Sequence, residues 1–325
     1  MSAIPLIIDT DPALGIWRDG RPRDVDDGLA IIEAINSHPA ATGNATPAID
    51  LLGITVTYGN AALTDAFRVA GDLVQLKECA LPVCAGAEEA MPQNPDDGPG
   101  AETDAVIFLR DTLRARRVRI AAIGPLTNLG VLLARYPDVA GQIDEVVIVA
   151  GRTCGNRFYL GTVGPVRDFN FENDVRAARL LLEAGVPIVM AGFELSSRVV
   201  VTESDLAAIA RRGTPSAEYL HRNSLDWLRY WTKTFPADAG FHPWDSAAIG
   251  WFLRPELYCI EKRGWRIRDE ALTAQERRHN PDGSPTSVPW LETATELPGP
   301  RVTYCTGFQP GMEAEFVRAA LAAVY

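Results

Sequence analysis

Short apolar runs that stop on a polar residue alternate with stretches of helical periodicity through most of this chain. That alternation restricts it to a small set of folds. Residues 4–8 read as a buried strand ending at Asp9, and 51–57 as a second strand ending at Tyr58-Gly59-Asn60. Residues 81–84, 118–123, 145–150 and 187–191 read as further strands. Between them, 28–35, 64–76, 105–114, 129–134 and 174–184 read as helices, with Thr64 as the expected cap of the second. Unbroken apolar runs suit parallel strands covered on both faces. Strand and helix in alternation imply an open, mostly parallel twisted sheet with helices on both faces. Past residue 191 the pattern turns helical over 204–212 and 216–233. Residues 263–300 are polar and rich in Pro and Thr, and read as an irregular excursion. Residues 301–305 return as a strand, and 312–324 close as an amphipathic helix. No repeat or low-complexity tract divides the sequence, so one domain over 1–325 is expected.

In such sheets ligands bind beyond the carboxyl ends of the strands. Polar residues gather at several of those ends: Asp9 and Asp11, Asn60, Thr127 and the loop after Ala150. The net charge of −11 argues against broad nucleic-acid binding, which needs a basic surface. It suits an enzyme of small molecules and is compatible with a divalent cation. The five cysteines are odd in number and lack zinc-ligand spacing, so free thiols in a reducing compartment are expected. Residues 1–8 do not resemble a signal peptide, and no apolar run approaches the ~20 residues that span a bilayer. A cytoplasmic protein without membrane partners is the expectation.

Four constellations carry chemistry. Asp9-Thr10-Asp11-Pro12 and Asp24-Val25-Asp26-Asp27 crowd carboxylates near one strand end. Their mutual repulsion is relieved by a hard cation, and calcium takes six to eight oxygen ligands, as these groups could offer. Capped helix starts with solvated acids are the plainer alternative. Gly124-Pro125-Leu126-Thr127-Asn128 is a strand-to-helix turn in which Thr or Asn could cap the next helix. In Arg167-Asp168-Phe169-Asn170, period-2 spacing would put Asp168 and Asn170 on one side, where a carboxylate and an amide suit sugar hydroxyls. Asp245, in His242-Pro243-Trp244-Asp245, sits at an expected helix start, where an N-cap is the plainer reading.

Together these segments resemble the inosine-uridine preferring nucleoside hydrolase family. That family opens with Asp-Thr-Asp-Pro-Gly-x-Asp-Asp and continues with a Gly-Asn strand end, a Gly-Pro-Leu-Thr-Asn-Leu turn, a Glu-Phe-Asn element and a late Asp at a helix start. All five have counterparts here in the same order. The resemblance implies an open α/β fold, a homodimer or homotetramer, and hydrolysis of a ribonucleoside N-glycosidic bond. It implies a calcium ion held by Asp11, Asp27, the Thr127 carbonyl and Asp245, with Asp26 as general base and Asp9 in support. It also implies that Asn60, Asp168 and Asn170 hold the ribose hydroxyls. Such a cation acidifies a water, a carboxylate removes its proton, and positive charge builds on the ribose as in glycoside hydrolysis.

The chain departs from the family pattern in four places. Residues 13–25 lengthen the signature by eleven residues. They form either a decorative loop or a lid bringing Trp17, Arg18, Arg21 or Arg23 over the pocket. Trp244 stands where the family often has a leaving-group histidine, and stacking there favours a purine. His242 is either a displaced acid or a plain loop histidine. Thr162 and Asp168 stand where Asn and Glu are expected, which alters binding at the 5′ end. Arg167 replaces a small residue. With the inserted arginines it could receive a phosphorylated substrate, although alternation would point it away from Asp168. Tyr230 and Trp231 either line the base pocket or pack in the core. Two other readings remain: a non-catalytic nucleoside or ribose sensor, and a haloacid-dehalogenase-like phosphatase with Asp9 as nucleophile and magnesium as metal. The phosphatase also needs a later Lys and a Gly-Asp-x-x-x-Asp pair; the lysines are only Lys77, Lys233 and Lys262, and no such pair appears.

Overall fold

The computed structural model describes residues 3–37, 49–278 and 287–323. Its main sheet has ten strands: β1 (Ile4–Thr10), β2 (Ile49–Val56), β3 (Val83–Ala85), β4 (Val118–Ala122), β5 (Ile143–Ile148), β6 (Arg152–Thr153), β7 (Ile188–Met190), β8 (Tyr258–Ala271), β9 (Ser287–Ala294) and β10 (Val302–Phe308). Their spatial order is β3-β2-β1-β4-β5-β7-β10-β8-β9-β6. The first seven in that order are parallel, and β8 runs antiparallel to both β10 and β9. This is the mostly parallel open sheet that the strand-helix alternation implies.

Side chains alternate across the sheet and divide the core in two. Leu6 and Ile8 of β1, with Val147 of β5, face one apolar cluster, while Ile7, Val146 and Ile148 face the other. The first cluster is covered by α1 (Asp26–Asn36) and α2 (Leu63–Leu76). The second is covered by α3 (Asp104–Ala115) and α4 (Thr127–Arg135). Two helices, α5 (Phe169–Asn173) and α6 (Val175–Glu183), continue the chain, and Leu181 of α6 joins the second cluster. Farther on, α7 (Pro215–Thr234), α8 (Ser246–Leu253) and α9 (Glu313–Ala323) pack against the first. Burying each Leu or Ile in such a cluster contributes about 1.5–3 kcal/mol.

Three expectations need correction. Residues 263–300 are not an irregular excursion where described: β8 and β9 pair in register from Gly264–Ala294 to Ala271–Ser287. Their Arg and Glu side chains, which make the sequence look like a loop, pair across the strands instead. Arg266 and Arg268 both donate to Glu292. Residues 279–286, and Val324 of the last helix, lie outside the described residues. Thr64 does not cap α2; the cap position is Ala62, which makes no side-chain bond. Asp168 and Asn170 do not alternate along a strand, because Asp168 precedes the short helix α5 and Asn170 lies within it.

Candidate functional site

The parallel strands end on one edge, and the aspartates collect there. Asp9 and Thr10 finish β1, Asp11 follows them, and Asp26 and Asp27 form the first turn of α1. Asp245 stands at the start of α8, which packs against α1. Its side chain makes no capping bond, so the helix start does not consume it. Carboxylate oxygens of Asp26, Asp27 and Asp245 all lie within 4.8 Å of one another. Asp11 joins the cluster through its amide, which donates to Asp27 Oδ1 at 3.1 Å, and Thr10 Oγ1 donates to the same oxygen. The Asp245 amide donates to Asp26 Oδ2 at 3.3 Å.

Glycine makes this crowding possible. The Asn60 amide reaches Asp11 Oδ2 at 2.6 Å. A Cβ on the preceding Gly59 would meet that oxygen at 2.0 Å, which no side chain could tolerate. Asp9 has a supporting part: its Oδ1 accepts from Thr55 Oγ1 at 2.6 Å and from Asn128 Nδ2 at 2.8 Å. Fully buried and absent from the cavity lining, Asp9 cannot act as the nucleophile of a phosphatase.

Burial dominates the electrostatics. It combines with repulsion from neighbouring carboxylates to push Asp11, Asp26 and Asp245 well above the ordinary carboxylate range. Asp24 and Asp27 are pushed up to about 7, and Asp9 to about 6. The N-termini of α1 and α8 favour the anions by about 0.3–1 kcal/mol each, too little to offset burial. Asp11 Oδ1 and Asp27 Oδ2 are buried without a hydrogen-bond partner among the described residues. All-oxygen donors, orphaned carboxylate oxygens and clustered like charge fit a hard divalent cation.

Above this floor opens a cavity of about 670 Å³. It is lined by Asp26, Asn60, Asp168, Asn170, Tyr230, Trp231, Trp244, Asp245 and Arg167, all singled out in the sequence. Asp168 Oδ2 accepts from the Gly151 amide at 2.9 Å, and Asn170 Nδ2 donates to the Ile123 and Val149 carbonyls at 2.8 and 3.2 Å. Burial, opposed by the Arg152 charge, raises Asp168 to about 7. Arg167 lines the cavity but is paired with Glu172 at 2.9 Å.

Aromatic rings form the far wall. Trp231 and Phe193 flank Trp244 at centroid distances of 6.3 and 5.6 Å, and Phe158 stacks on Phe193 at 4.1 Å. Trp227 stacks beside Tyr230 at 5.6 Å.

Other candidates lie outside the lining. Thr127 opens α4 below the cavity, with its hydroxyl donating to Asp174 at 2.8 Å. Thr162 is exposed and is not among the described residues that line the cavity, although the adjoining Val163 and Gly164 are. His242 is 2% exposed, donates from Nδ1 to the Val199 carbonyl at 2.7 Å, and packs behind Trp244. Trp17 is 57% exposed and is not among the described residues that line the cavity. The lengthened loop is nonetheless more than decoration. Trp17–Arg18 pairs with Arg21–Pro22 as a hairpin, and Arg21, Pro22, Arg23 and Asp24 line the cavity. Asp19 and Gly20 at its tip have φ of 54° and 73°, as a two-residue hairpin turn requires.

Sequence reasoning missed Phe158, Phe193, Trp227 and Trp290, which also line the cavity. Only Phe193 carried a signal, since it follows the carboxyl end of β7. The others come from a loop (Phe158), a helix (Trp227) and strand β9 (Trp290), whose approach to the site is set by packing.

A family model described as inosine-uridine preferring nucleoside hydrolase matches residues 6–297. The pyrimidine-specific ribonucleoside hydrolase RihB of Escherichia coli O1:K1 / APEC is 30% identical over 255 residues, covering 71% of this chain and 76% of that protein. Among solved structures, the plant nucleoside hydrolase PpNRh1 matches with a TM-score of 0.74 at 19% identity, over 98% of both chains. A purine-preferring ribonucleoside hydrolase from Gardnerella vaginalis matches at 0.71 and 20% identity, again over 98% of both. At these identities the structural likeness is one of fold.

Proposed function

Since this chain belongs to the inosine-uridine preferring nucleoside hydrolase family and is thereby an N-glycosyl hydrolase, we propose that it cleaves ribonucleosides, purines preferentially, to ribose and free base. The observation that carries this reading is the buried meeting of Asp26, Asp27 and Asp245 beneath an aromatic cavity. Asp11, Asp27, Asp245 and the Thr127 carbonyl would hold a calcium ion. Bound there, the ion would offset the clustered negative charge and make a nearby water more acidic.

Asp26 is both a member of the carboxylate cluster and a cavity-lining group, which suits it to take the proton of the attacking water. Water adds at the anomeric carbon while the C–N electron pair leaves with the base. Asn60, Asp168 and Asn170 orient the ribose through its hydroxyls. As the ribose gains positive charge, the buried carboxylates around it become more favourable neighbours than in the ground state.

Purine preference rests on the Trp244 wall, because a bicyclic base buries more ring surface against it than a monocyclic one. The name of the Escherichia coli relative points to pyrimidines and that of the Gardnerella protein to purines. Residence in the cytoplasm and assembly as a homodimer or homotetramer complete the proposal and rest on the sequence reading. No helix among the described residues is long and apolar enough to cross a membrane.

Reducing-sugar release from inosine, adenosine, uridine and cytidine, with and without chelation, tests the reading. Release from inosine should exceed that from uridine and should stop on chelation. Preference for uridine would overturn the purine assignment, and chelator-insensitive turnover would overturn the metal.

A further inference from the structure

The proposed reaction leaves an electron pair on the departing base, and the cavity must accommodate it. No histidine is among the described residues that line the cavity. His242 lies behind Trp244 with Nδ1 donating to a carbonyl; burial lowers its proton affinity, outweighing that bond and the Asp238 carboxylate 3.3 Å from Nε2. Of the three arginines that line the cavity among the described residues, Arg21 and Arg23 belong to the inserted segment. Arg21 lies beside the aromatic wall, with Nη1 donating to the Tyr230 hydroxyl at 3.5 Å. It has no carboxylate within ion-pair distance among the described residues. Arg23 donates from Nη2 to Asp19 at 2.7 Å, but Asp19 is 75% exposed, so that pair is solvent-screened. Its Nε is buried and makes no hydrogen bond among the described residues. Burial and, after it, the Arg21 charge lower Arg23 from the ordinary guanidinium range, and both residues line the cavity. Arg167 adds no free charge, being paired with Glu172.

Resting on the N-ribosyl hydrolase reading, we propose that Arg21 and Arg23 form a specificity wall for bases that leave as anions. Acidic oxo-heterocycles are thereby selected over basic amino-heterocycles. A guanidinium does not give up its proton at working pH, so it stabilises the departing charge and does not neutralise it by proton transfer. In the balanced step, water forms the new C1′–O bond and its proton passes to Asp26. The C1′–N bond breaks, and its electron pair stays on the base, facing the two guanidiniums. The base takes its proton from solvent after release. Adenine and xanthine are both bicyclic and stack alike, so a preference between them isolates the charge.

The test measures kcat/KM for xanthosine and adenosine in the wild type, Arg21→Gln, Arg23→Gln and the double variant, alongside melting temperatures. A second readout, independent of turnover, follows binding of free xanthine and adenine at mildly alkaline pH by quenching of the cavity tryptophans. The double variant should lose about tenfold or more on xanthosine and stay within about twofold on adenosine. Xanthine binding should weaken and become less salt-sensitive, with adenine binding unchanged. Equal losses on both nucleosides, or no loss on either, would overturn the wall. Should the wild type release ribose from neither nucleoside, and from none of inosine, uridine and cytidine, the hydrolase reading fails. The base-binding comparison then decides the wall by itself: a loss confined to xanthine supports it, and equal binding of both bases by wild type and variants overturns it.

Discussion

Asp26 and Asp27 are adjacent in sequence, and the first turn of α1 gives them different surroundings. Asp27 Oδ1 accepts from Thr10 and Asp11, while Asp26 lines the cavity. Replacing Asp26 with Asn should lower kcat by about 10²–10⁴, as expected for loss of a general base. In chelated protein it should leave the melting temperature unchanged or raise it, because one buried like charge has gone. A fall in melting temperature equal to that in activity would mark Asp26 as structural. His242 predicts the opposite pattern. His242→Gln should keep kcat within about threefold while costing about 1 kcal/mol through the lost bond to Val199. A thousandfold loss of kcat, read from steady-state kinetics, would return it to the reaction. Placement at this scale was largely legible: Asp26, Asp245, Asn60, Asn170 and Trp244 line one cavity, with Asp27 in the carboxylate cluster beneath it. Thr162 and His242 were not, because chain proximity to a motif does not fix which way a loop turns.

At the scale of elements, α1 and α8 hold the carboxylates by their N-termini and are tied again beyond them. Glu33 near the end of α1 accepts from Arg254, the residue that follows α8, at 2.9 Å. Glu33 is fully buried, and burial outweighs Arg254, raising its pKa from 4.5 to about 7. A raised folded-state pKa means the contribution to stability is complete below the unfolded value and is lost as pH climbs through the folded one. Glu33→Gln stays neutral and escapes that loss. The melting temperature of the wild type minus that of the variant should therefore shrink as pH rises from about 5 to about 8. A difference that stays flat would show that Glu33 is ionised throughout. Elements with strong apolar periodicity were readable to within a few residues. The β8–β9 pair was not, because its strands are joined by Arg side chains converging on the buried Glu292 and so lack the apolar pattern that announces a strand.

For the whole molecule, the proposed cation in this cluster of buried carboxylates would tie stability to metal binding. Chelation should lower the melting temperature by several degrees as well as abolish turnover. Calcium should restore both better than magnesium, which demands a tighter octahedral shell. Equal melting curves with and without chelator would argue against a metal in the cluster. The amino-acid sequence by itself determined the layered α/β architecture, since periodicity is a local property that each strand and helix writes for itself. It also determined the identity of the acidic floor, whose members lie at strand ends and helix starts. Only the tertiary structure decided that the inserted hairpin borders the cavity with Arg21 and Arg23, that His242 is sealed behind Trp244, and that Phe158, Phe193, Trp227 and Trp290 complete the walls. Those outcomes depend on how distant segments pack against one another, and side-chain direction across a cavity has no local signature in the chain.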